Sequence, residues 1–185
     1  MLLNHKPNEK VISIVFYGKS HKIFEIFPSF YKKCKDIFLE LKYEYNYLAI
    51  DSKNFIDGKI KTVNRFEKKL IDEIMNKNPI RSICFFSLPN DFRNCGFDYN
   101  VSIEWNQNYL LFTFSNSTYK AIQERIIKDF KEFFEFNKIE IFKMSRKECP
   151  WNYVSGINPI NSYKSLRILK VYSRDDIERK YRTTS

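Results

Sequence analysis

Residues 95–136, CGFDYNVSIEWNQNYLLFTFSNSTYKAIQERIIKDFKEFFEF, decide how this chain is read. Cys95, Phe97, Tyr99, Val101, Ile103 and Trp105 fall on every second position, with Asp98, Asn100, Ser102 and Glu104 between them. Successive side chains of a strand point to opposite faces, so this spacing predicts a strand with Trp105 on its buried side and Glu104 in water. Asn106-Gln107-Asn108 supplies turn chemistry, and Tyr109–Phe114 (YLLFTF) predicts the returning strand. Ser115-Asn116-Ser117 offers helix N-caps. Tyr119, Ile122, Ile126, Phe130 and Phe133 then recur at steps of three and four, the stripe of a helix packed on a sheet. A β-hairpin feeding an amphipathic helix is the expected centre of the fold.

Working outward, residues 1–10 read as a polar leader and 11–185 as a single α+β domain. Val11–Tyr17 (VISIVFY) predicts a strand buried on both faces, bounded by Gly18. Gly18-Lys19-Ser20 matches the tail of a phosphate-binding loop but lacks its upstream glycine and spacing, so it carries no nucleotide site. A helix is expected from Pro28 or Ser29, with Phe30, Cys34, Ile37, Phe38, Leu41 and Tyr45 as its stripe. Tyr47–Ile50 predicts a short strand, and Asp57-Gly58 a two-residue hairpin turn. Asn64 and Glu67 have capping-box spacing for a helix burying Phe66, Leu70 and Ile74 and ending at Asn78-Pro79. Ile80–Leu88 and Ile139–Met144 read as strands, residues 145–163 as irregular, and Leu166–Val171 as a late strand. Ser173 and Asp176 can cap a last helical turn. This order implies a largely antiparallel sheet with helices packed mainly on one face.

Hydrophobic residues make up 43% of the chain, with 18 Phe and 12 Tyr, which argues for a packed interior rather than disorder. No apolar run reaches the roughly eighteen residues of a membrane-spanning helix, and MLLNHKPNEK has no signal-peptide core. Cys34, Cys84, Cys95 and Cys149 show no CxxC pairing and are expected as free thiols of a cytoplasmic protein. The formal charge is +10, and residues 138–185 hold eleven basic against five acidic residues. Such a surplus attracts nucleic acid, an anionic surface or an acidic protein.

Catalysis needs convergent groups, and the sequence does not supply them by any signature. His5 and His21 are the only histidines, Asp72-Glu73 and Asp175-Asp176 point apart on their helices, and no metal-ligand spacing is present. The expectation is a non-enzyme with no cofactor and no metal. Arg146, Lys147, Trp151, Tyr153, Arg167 and Lys170 instead combine cations and aromatic rings within 25 positions. Trp, Tyr and Arg dominate protein-binding hot spots, so these six are the candidate partner-binding residues. Basic and aromatic residues also serve nucleic-acid binding, which stays open as the alternative, although the signature of the RNA-recognition module is absent.

The hairpin DYNVSIEWNQNYLLFTFS, the helix after it and the segment PWNYVSG (residues 150–156) give residues 80–160 an arrangement that resembles bacterial immunity proteins. Those proteins neutralise cognate toxin domains of polymorphic or contact-dependent systems by direct docking. The resemblance implies a toxin inhibitor in bacterial antagonism, without catalytic residues. Immunity proteins against nucleases are often acidic, whereas this chain is basic. The implied partner is therefore a toxin with an acidic face, or one that is not a nuclease.

Overall fold

Both phases of Val11–Phe16 are apolar or small, and the strand they form, β1 (Lys10–Ser20), is buried on both sides near the middle of a sheet. The structure, a computed structural model, describes residues 9–55, 59–115 and 119–181. After β1 come α1 (Ile23–Glu40), β2 (Tyr47–Ser52), β3 (Lys61–Thr62), α2 (Val63–Met75), β4 (Ile80–Ser87), α3 (Cys95–Asp98), β5 (Val101–Asn106) and β6 (Tyr109–Ser115). Then follow α4 (Tyr119–Phe130), β7 (Phe134–Ser145), α5 (Pro150–Val154), β8 (Arg167–Ser173) and α6 (Arg174–Lys180). The strands form one eight-stranded sheet in the order β3-β2-β4-β5-β6-β1-β7-β8, with every pairing antiparallel. The fold is α+β. Among the described residues no helix is long and apolar enough to cross a membrane.

Strand alternation divides the core in two. Ile12, Ile14 and Phe16 of β1, with Val101, Ile103 and Trp105 of β5 and Leu110, Phe112 and Phe114 of β6, meet the apolar stripes of α1, α2, α4 and α6. Phe30 of α1 and Phe130 of α4 meet edge-on, their ring centroids 5.9 Å apart. Val15, Tyr109, Leu111, Phe142 and Met144 face the other way and are covered by Val154 and Tyr163. Among the described residues no long helix lies on this second face; the short helices α3 and α5 and irregular chain reach across it.

The hairpin forms as expected, with Gln107 and Asn108 as its two-residue loop. Trp105 is 1% exposed. The loop also anchors β1, because the carbonyls of Asn108 and Gln107 accept from the amides of Gly18 and Ser20. Gly18 is required there by space. A Cβ on it would sit 2.3 Å from the Glu135 carbonyl oxygen, where the β1–β7 register shifts.

Several boundaries differ from expectation. Residues 95–98 form a helical turn, not the start of the strand, because Asn94 accepts from the Gly96 amide and caps it. α1 starts five residues before Pro28, which lies inside it; burial of Ile23 and Phe27 outweighs the one backbone bond that proline forfeits. α2 starts at Val63 after Thr62, so Asn64 is not its cap, and Glu67 accepts from the Tyr31 hydroxyl instead. β7 begins at Phe134, five residues earlier than its sequence pattern suggested. The Ser173–Asp176 capping box is present. The Asp57-Gly58 turn, most of the leader and the caps at Asn116 and Ser117 lie outside the described residues.

Candidate functional site

The second face of the sheet, which no long described helix covers, holds a cavity of about 610 Å3. Its floor is the outward phase of four strands: Ala49 of β2, Cys84 and Phe86 of β4, Ser102 and Glu104 of β5, and Leu111 and Thr113 of β6. Cys95, Gly96 and Tyr99, around α3, and Cys149, Pro150 and Trp151, where α5 begins, form its walls. Two local features build these walls. Cys149 takes a positive φ of 56°, which lets Pro150 open α5 across the sheet. Arg146, three residues before Cys149, ties that segment to the chain around α3. Its guanidinium donates to the carbonyls of Phe97, at 3.1 Å, and Tyr99. It also lies 4.7 Å from the centroid of the Tyr99 ring and pairs with Glu9 at 3.1 Å.

Glu104 is the distinctive group. The alternation placed it in water, yet it is 8% exposed, because α5 roofs the face it points to. Tyr109 donates from its hydroxyl to Glu104 Oε1 at 2.5 Å. Among the described residues no lysine, arginine or histidine forms a salt bridge with it. Burial raises its pKa from 4.5 to about 7, with Tyr109, Trp151 and Cys84 pulling back the other way. The same burial pushes the Cys84, Cys95 and Cys149 thiols and the Tyr109 phenol up, so all four stay protonated at neutral pH. All four cysteines are free, and three of them, far apart in sequence, line this one cavity. Among the described residues no group of three or more His, Cys, Asp or Glu side chains is arranged to hold a metal ion.

The six residues singled out from the sequence do not form one patch. Arg146 is 7% exposed, and its guanidinium is engaged within the chain as described. Tyr153 packs its ring on Phe142, with centroids 4.8 Å apart, and donates from its hydroxyl to Glu140 at 2.7 Å, so it covers the second core. Lys147, Trp151, Arg167 and Lys170 are exposed. Trp151, on α5, stands at the cavity on the second face. Arg167 and Lys170 sit opposite Lys143 and Ile141 in the β7–β8 register and so lie on the helix side. Lys170 also acts electrostatically on Glu124 of α4.

Glu104 and the three thiols were missed as a site. A carboxylate at a wet phase of a strand and scattered cysteines carry no local signal of convergence. No protein-family model, curated protein or solved structure matches this chain.

Proposed function

We propose that this chain is a protein-docking inhibitor of the immunity-protein kind, meeting its partner through residues 151–171 and the open edge of β8. The observation that carries this reading is where the exposed large hydrophobic residues lie. Ten are exposed among the described residues, and Trp151, Ile157, Ile160, Ile168, Leu169 and Val171 are six of them. Five of these are aliphatic, which suits a protein interface. Nucleic acid would instead call for aromatic stacking and phosphate pairing.

β8 is the last strand of the sheet, so its outer backbone groups are open to pairing with an added strand. Residues 149–174 carry Lys164, Arg167, Lys170 and Arg174 and no acidic residue. The complementary occupant is an extended acidic segment of a toxin domain. A second copy of β8 would bring two basic strands together and is disfavoured.

The test is co-expression with the product of the neighbouring gene, comparing the unaltered protein with Arg167→Glu/Lys170→Glu. Both side chains are exposed, so the melting temperature should hold while growth rescue and co-purification are lost. Unchanged rescue and binding would remove β8 as the docking edge. Tight, salt-sensitive binding of RNA or DNA without any protein complex would favour the nucleic-acid alternative.

A further inference from the structure

We infer that the cavity on the second face of the sheet binds a small organic amine, its cationic nitrogen on the Glu104 carboxylate and its apolar body against Phe86, Leu111 and Trp151. This goes beyond the docking proposal and does not depend on it. The volume, about 610 Å3, falls within the range of small-molecule sites. A single lysine side chain reaching in from a protein partner would leave most of that space unfilled.

The charge pattern selects the ligand class. The chain carries +10 overall, yet the acidic groups lining the cavity are Glu104 and Asp51. Asp51 is already paired with Arg81, the one basic side chain of the lining. Glu104 has the Tyr109 hydroxyl on Oε1, with Trp151 and Cys84 as further neutral donors, and no cation among the described residues. An anionic ligand would meet a carboxylate and no free cation. A neutral apolar ligand would leave that carboxylate desolvated and without a counter-charge. An amine supplies the missing charge and a charge-assisted hydrogen bond. The Trp151 ring at the wall adds a face on which a cation is favoured.

The surroundings also predict one titration. Cys84, Cys149 and Tyr109, the titratable groups that act on Glu104, are all pushed upward and stay neutral, as does Cys95 elsewhere in the lining. Amine affinity should therefore rise as pH increases through about 7, where Glu104 loses its proton.

The two tryptophans give the readout, because Trp105 is buried in the opposite core and Trp151 lines the cavity. Their indole N–H resonances, assigned with Trp151→Phe, are followed while phenethylamine, tryptamine and cyclohexylamine are titrated to millimolar concentration. Each amine is compared with 2-phenylethanol, tryptophol or cyclohexanol, its uncharged counterpart. At least one amine should move the Trp151 signal and leave Trp105 in place. It should bind at least about ten-fold more tightly than its alcohol, and Glu104→Gln should remove that preference. No shift with any amine, equal binding of amine and alcohol, or a preference that survives Glu104→Gln overturns the inference.

Discussion

The Tyr109 hydroxyl and Glu104 Oε1 lie 2.5 Å apart on the face of the β5–β6 hairpin that α5 roofs. They form a buried neutral–acidic pair where the strand pattern promised a solvated carboxylate. Behind them, on the opposite face of the same two strands, Trp105 and Leu110 pair within the main core.

Glu104 makes stability depend on pH in a direction opposite to that of a salt-bridged carboxylate. Its folded pKa is raised from 4.5 to about 7. Below 4.5 it is protonated in both states and contributes no pH dependence. Between the two values the folded state holds a proton that the unfolded state has released, so stability falls as pH rises and levels off above about 7. The shift corresponds to about 3 kcal/mol as an order of magnitude. Glu104→Gln removes this loss and keeps an acceptor for Tyr109. Urea midpoints should show the variant more stable than the unaltered protein at pH 8, with the gap closing towards pH 4.

Trp105→Ala should cost about 3–5 kcal/mol, the range for a large buried aromatic. Its indole nitrogen is buried and has no hydrogen-bond partner among the described residues, so Trp105→Phe gives up packing volume but no bond seen there and should cost clearly less. Denaturant unfolding of the two variants gives the comparison; equal losses would mean that the ring volume kept by phenylalanine contributes nothing at this position.

Arg146 is a structural residue. Removing its guanidinium leaves the Phe97 and Tyr99 carbonyls without their donor and Glu9 without its pair. Arg146→Ala should destabilise by about 3 kcal/mol, typical of breaking a buried charged contact. Arg146→Lys should rescue little, since one ammonium cannot reproduce the planar fork. Lys147→Glu, at an exposed position, should leave the unfolding midpoint within about 0.5 kcal/mol of the original.

Gly18→Ala forces a Cβ against the Glu135 carbonyl oxygen, a backbone atom that cannot rotate away. The expected loss is about 1–3 kcal/mol, the scale of overpacking. Lys19→Ala next to it, whose side chain meets no such obstacle, is the control in thermal melts.

The sequence by itself determined the parts of this fold that depend on neighbours along the chain. The alternation Val101-Ile103-Trp105, the Asn106–Asn108 turn, the stripe from Tyr119 to Phe133 and the Ser173–Asp176 cap are all written within a few residues. Each formed, because strand phase, helix phase and capping are local geometry. Only the tertiary structure decided what covers the second face of the sheet. α5 is brought there by Cys149 and Pro150, 45 residues beyond Glu104 in the chain. That crossing turned a wet glutamate into a buried one, gathered Cys84, Cys95 and Cys149 around it, and drew Arg146 inward to hold Tyr99. The alternation could say which face Glu104 occupies. Whether that face meets water or a roof depends on a contact between distant segments, and periodicity carries no information about such contacts.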